Sequence, residues 1–87
     1  MTTTELKKMK KAYVLINCDL GKEGDILLSL RMMNQIKEAH GTWGAYDIIA
    51  EVETNSADSL RETITWKIRK IPSIRATLTL TAIEGQN

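Results

Sequence analysis

Residues 12–18, Ala-Tyr-Val-Leu-Ile-Asn-Cys, are β-rich and nearly all apolar. A run of this kind hides both of its faces, so it reads as a central strand with neighbours on each side and a covering layer. It is far shorter than the roughly 18 apolar residues a membrane-spanning helix requires. The chain that must supply those neighbours has 87 residues, enough for one small domain. A domain of that size hides only roughly 60–65% of the surface its unfolded chain exposes, so pairing with a second copy is a natural way to bury more.

After the central strand the pattern alternates. Asp19-Leu20-Gly21-Lys22-Glu23-Gly24-Asp25 breaks it, and from about Lys22 to Met33 apolar residues fall at 26, 27, 30 and 33, the spacing of a helix. Leu28 and Met32 widen that stripe. Residues 36–43 fit either a helix extension or a strand, and the glycines at 41 and 44 favour a short strand. Residues 45–53 form a clearer strand with Ile48, Ala50 and Val52 on one face. Asn55 and Ser56 are competent caps for a second helix, Asp58 suits its first turn, and Leu60, Ile64, Ile68 and Ile71 form its buried stripe. Pro72 stops it. Residues 74–83 form the last strand, with Thr77, Thr79 and Thr81 alternating with Ala76, Leu78, Leu80 and Ala82.

The order is β-α-β-β-α-β, which predicts an α+β, ferredoxin-like sandwich: a four-stranded antiparallel sheet with two helices on one face. The expected organisation is a short basic lead-in over 1–11, the folded ferredoxin-like domain over 12–84 and a tail over 85–87. The other sheet face should carry Tyr13, Leu15, Asn17, Ile49, Glu51 and the threonines of the last strand. That face is too apolar to be left to water, and it points to a homodimer.

The chemistry-bearing residues are few. Cys18 is the only cysteine and His40 the only histidine, so no Cys/His metal cluster and no internal disulfide can form. No phosphate-binding glycine loop is present. Ser56 and Ser59 fit helix starts better than nucleophiles. No cofactor is expected. With a net charge of +1 the chain is not a broad nucleic-acid surface, although Lys67, Arg69, Lys70 and Arg75 are clustered and a sheet of this topology can hold single-stranded RNA. The basic N-terminus lacks an apolar core after it, so it is not a secretory signal, and a cytoplasmic location is expected.

The stretch Thr42-Trp43-Gly44-Ala45-Tyr46-Asp47 stands apart. Its position demands a turn, yet a two-residue hairpin favours Asn-Gly or Asp-Gly. Gly44 serves either a positive φ or the close approach of a ligand. Backbone N–H groups near Gly44, the Asp47 carboxylate and the Trp43 wall would suit a small zwitterion, while a bend plugged by an aromatic is the plain alternative.

Gly44-x-Tyr46-Asp47, Ile71-Pro72-Ser73-Ile74 and Thr77-Leu78-Thr79, within a match running from about Tyr13 to Ile83, closely resemble the C-terminal effector-binding (RAM) domain of the Lrp/AsnC transcription regulators. The resemblance implies a ferredoxin-like fold, dimers paired through their sheets and higher assemblies such as octameric rings. It also implies an amino acid or related metabolite bound between dimers, with Trp43, Gly44, Tyr46, Asp47 and Thr77 as site residues. No helix-turn-helix precedes residue 12, so the chain resembles a stand-alone form without sequence-specific DNA binding. It would act by sensing amino acids or by joining full-length Lrp/AsnC-type regulators. Ser73 stands where the family commonly has glycine. Two other readings stay open: a small dimeric enzyme of oxygenase or isomerase type using His40, Tyr46 and Asp47, and an assembly protein with no ligand.

Overall fold

The computed structural model describes residues 9–81. Most of the expected N-terminal lead-in, the end of the last strand and the C-terminal tail lie outside the described residues. Strands β1 (Lys10–Cys18), β2 (Ile36–Gly41), β3 (Ile48–Thr54) and β4 (Ile74–Thr81) form one sheet in the order β2-β3-β1-β4. All three pairings are antiparallel. Helix α1 (Glu23–Arg31) links β1 to β2, and α2 (Ala57–Glu62) continues as a π-helical segment, Thr63–Ile68, before β4. This is the βαββαβ sandwich the sequence predicts, with both helices on one face.

The apolar run of β1 is at the centre as expected. Ala12, Val14, Ile16 and Cys18 face the helices together with Ile48, Ala50 and Val52 of β3. Ile26 and Leu30 of α1, and Leu60 and Ile68 of the second helical stretch, close over them. Burying such side chains contributes about 1.5–3 kcal/mol each. Arg31 ties α1 to the edge of the sheet: its Nη2 and Nε donate to the Ala39 carbonyl at 2.7 and 3.2 Å.

The helices are shorter than the sequence pattern suggests. Leu28 and Met32, expected to widen the buried stripe of α1, are exposed. Ser56 caps α2 by accepting from the Ser59 N–H at 3.0 Å, and Asp58 lies in the first turn. Beyond Glu62 the helix widens. Arg69 N donates to Ile64 O, five residues back, at 3.1 Å. This π turn keeps Ile68 fully buried while Ile64 is only partly so. The next stretch turns at Ser73, the only non-glycine described residue with positive φ, at 76°. Its carbonyl accepts from Asp19 N at 2.9 Å, which pins the start of β4 to the end of β1.

One expectation about β4 is corrected. The register pairs Tyr13 with Leu80 and Leu15 with Leu78, whereas Val14 meets Thr79 and Ile16 meets Thr77. The leucines therefore share the free face, and the threonines turn toward the helix layer. The sequence alternates threonine with apolar residues, so periodicity alone leaves the parity open; the pairing with β1 sets it. The free face thus carries Tyr13, Leu15, Ile49, Leu78 and Leu80 in adjacent strands. Lys11 Nζ and Glu51 Oε2, 3.2 Å apart, form an ion pair beside Tyr13.

Candidate functional site

The loop between β2 and β3 is built from backbone hydrogen bonds that converge on Asp47. Its N–H donates to Ile16 O, and its carbonyl accepts from Thr42 N, both at 2.9 Å. Its side chain reaches across as well: Cys18 N donates to Asp47 Oδ2 at 2.9 Å. Asp47 therefore prolongs the β3–β1 ladder after the register has ended and fastens the loop to the last residue of β1. Thr42 Oγ1 closes the other side by donating to Tyr46 O at 2.7 Å.

Between those two anchors the chain is free to bend outward. Gly44 has φ 127°, and no atom lies within 4 Å of the place a Cβ would take. A φ in this range favours glycine whatever the space around it, and the open space leaves the backbone accessible. Trp43, beside it, is wholly exposed, with a relative exposure of 102%.

An open depression of about 390 Å³ lies against this loop, lined by Glu23, Gly41, Thr42, Trp43, Gly44 and Asp47. Three of the five expected site residues thus meet there. Tyr46 is adjacent in sequence and half-buried but is not part of the lining. Thr77 is on β4, cross-strand from Ile16, and stands apart from it. Glu23 is the residue sequence reasoning missed; it sits in the first turn of α1, and only the fold brings that turn to residues 41–47. On the opposite side of Asp47 a second open depression, about 470 Å³, is lined by Asn17, Cys18, Asp47, Arg75 and Ala76.

The electrostatics here are acidic. Burial, reinforced by the charges of Asp47, Glu23 and Asp19, pushes the Cys18 thiol above its ordinary range. Cys18 is therefore a protonated, buried side chain rather than a nucleophile. His40 does not join Asp47. Its Nε2 lies 2.9 Å from Glu38 Oε1, and both side chains are exposed. The acid/base pair that an enzyme reading needed is not assembled. Among the described residues, no group of three or more His, Cys, Asp and Glu side chains could hold a metal ion. No helix among them is long and apolar enough to cross a membrane.

Comparison with known proteins points the same way as the fold. Residues 11–85 match the family profile described as Lrp/AsnC ligand binding domain. Two solved structures share 40% sequence identity with the chain. One, a hypothetical protein from Pyrococcus horikoshii, superposes with a TM-score of 0.81 over 85% of this chain and 89% of its own. The other, an FFRP, gives a TM-score of 0.83 over 85% of this chain and 99% of its own. Escherichia coli AsnC, at 24% identity, has a TM-score of 0.85 and matches the whole of this chain with 59% of its own length. No curated protein matches.

Proposed function

The chain belongs to the Lrp/AsnC family as a small-molecule-binding regulatory domain rather than an enzyme, and from that premise we propose that its ligand is an amino acid or a closely related metabolite held at the β2–β3 loop. The observation that carries this reading is the depression in which Trp43, Gly44 and Asp47 come together beside Glu23. An α-ammonium group finds carboxylates there, with which it makes charge-assisted hydrogen bonds. The α-carboxylate finds the backbone around Gly44, where no side chain blocks approach. Trp43 supplies an apolar wall for the ligand side chain. Tyr46 and Thr77 complete the proposed set from the loop and from β4. A structural relative from Neisseria meningitidis, 8% identical with a TM-score of 0.81, is described as a complex with L-Met.

The depression is open, and Trp43 stands clear of its own subunit, so a neighbouring copy closes the site. We place the homodimer contact on the free sheet face, where Tyr13, Leu15, Ile49, Leu78 and Leu80 are contiguous. Removing such a surface from water stabilises association by roughly 25 cal/mol per Å² of apolar area. Dimers assemble further into rings such as an octamer. Full-length Lrp/AsnC-type regulators are the partners through which ligand binding modulates transcription. The folded unit is the proposed 12–84 domain, its location cytoplasmic. In this reading sequence-specific DNA contacts belong to those partners and not to this domain.

Calorimetry with the twenty amino acids tests the ligand. The reading requires saturable binding of at least one of them by the parent and its weakening in Trp43→Ala. Binding by none at millimolar concentration overturns it and leaves assembly as the function. Light scattering tests the partner: a 9.8 kDa monomer at micromolar concentration would sink the dimer.

A further inference from the structure

Another depression lies at the end of the sheet away from the loop just described. It runs between the helical stretch that precedes β4 and β4 itself, has a volume of about 420 Å³, and is lined by residues of both elements. It exists because the α2 stretch packs across β1 and β3, while β4 is the edge strand and turns its threonines toward this layer without being covered. Thr79 and Thr81 are exposed although they occupy the helix side of the sheet.

The helical wall is regular. Arg61, Thr65 and Arg69 are four residues apart, so they stand one above another on the flank facing the strand. Arg61 is loosely paired with Asp58, 3.6 Å away, and both side chains are largely exposed. Arg69 makes no ion pair and no side-chain hydrogen bond among the described residues, and the hydroxyls of Thr65, Thr79 and Thr81 make none either. No carboxylate contributes to the lining. Ala57, Leu60 and Ile64 form an apolar floor.

We propose that this groove is a second binding site, for a small organic carboxylate with a short apolar body. The two guanidinium groups supply the only charges on its walls. The threonine hydroxyls supply donors at the spacing of one strand face, and the floor accepts a hydrocarbon tail. An ammonium-bearing ligand is disfavoured by the same two arginines, so the groove selects a simple carboxylate over a zwitterion. The probe is isovalerate, with isovaleramide as its neutral isostere.

The test is a titration of the full chain by amide NMR. Isovalerate should shift the signals of Thr65, Arg69, Thr79 and Thr81 together along one saturable curve, leaving those of Gly41–Asp47 in place. Arg69→Gln, a substitution at an exposed position, should weaken the affinity at least about ten-fold, since a hydrogen bond to a charged group is lost. Trp43→Ala should leave it unchanged. Isovaleramide should produce no saturable shift. The proposal is overturned if isovalerate causes no saturable shift at these residues. It is equally overturned if isovaleramide matches isovalerate or if Arg69→Gln binds as the parent does.

Discussion

Two of the depressions, the one at the β2–β3 loop and the groove beside β4, are of similar size and opposite character. The loop depression carries Glu23 and Asp47 and no lysine or arginine, whereas the groove beside β4 carries Arg61 and Arg69 and no carboxylate. The first is made by a loop whose backbone is pinned at both ends; the second is made by an overhanging edge strand that no helix covers. A hairpin held by Asp47 and bent at Gly44 needs particular residues at particular places. The groove needs only that α2 stop short of β4, and its exposed arginines and threonines can vary without disturbing the core, to which only Leu60 and Ile64 of its floor are tied. The loop is therefore where substitutions should cost stability, and the exposed walls of the groove are where they should not.

Asp47→Ala should break that comparison most sharply if it is wrong. Removing the carboxylate leaves the Cys18 N–H without its acceptor, and the chain should lose about 1–3 kcal/mol in urea unfolding. Asp47→Asn keeps an acceptor oxygen and should recover much of it. A loss below the error of the measurement would make the carboxylate a ligand group alone.

Gly44→Ala comes next. A φ of 127° suits glycine and strains any other residue, at a cost of roughly 1–2 kcal/mol, even though the added methyl would meet no atom. Ser73 gives the mirror test, because it holds φ 76° with a side chain. Ser73→Gly should raise stability by roughly 0.5–1 kcal/mol, net of the entropy glycine adds to the unfolded chain. A lower melting temperature would mean that its hydroxyl matters more than its backbone.

The Cys18 thiol supplies a pH test of the acidic end. Its pKa is raised in the fold, chiefly by burial, so native and unfolded chains bind the same proton below the unfolded value. Above that value, about 8.5, the unfolded thiol ionises first and stability falls as pH rises toward the folded value. Cys18→Ala should lose this alkaline fall, and alkylation of the native thiol at pH 8 should be slow. At the small end, Arg61→Ala and Arg69→Ala should each change stability by less than about 0.5 kcal/mol.

The sequence made the order of elements legible because three separate signals agree: the apolar run at 12–18, the helical spacings, and the punctuation by Ser56 and Pro72. It also made the loop legible, since Trp43, Gly44 and Asp47 fall within five residues in a place where ordinary turn residues were expected. The rest depended on information carried between elements. Glu23 joins the depression through the packing of α1 against β2, which no local pattern encodes. The face of β4 was ambiguous because Thr77, Leu78, Thr79 and Leu80 alternate evenly, and only the pairing with β1 chooses. The π turn at 63–68 is likewise invisible in a stripe whose members at 60, 64 and 68 fit a regular α-helix.

Trp43 offers the most direct test of the central claim, that the β2–β3 loop binds the ligand. Trp66, half-exposed with the Lys70 ammonium 4.8 Å from its ring centre, is the only other tryptophan. In a Trp66→Phe variant all indole emission therefore reports Trp43. Titrating that variant with the amino acid that binds in calorimetry should move the emission toward shorter wavelength, saturating at the calorimetric affinity. Emission that stays unchanged while calorimetry registers full binding would put the ligand elsewhere and contradict the account.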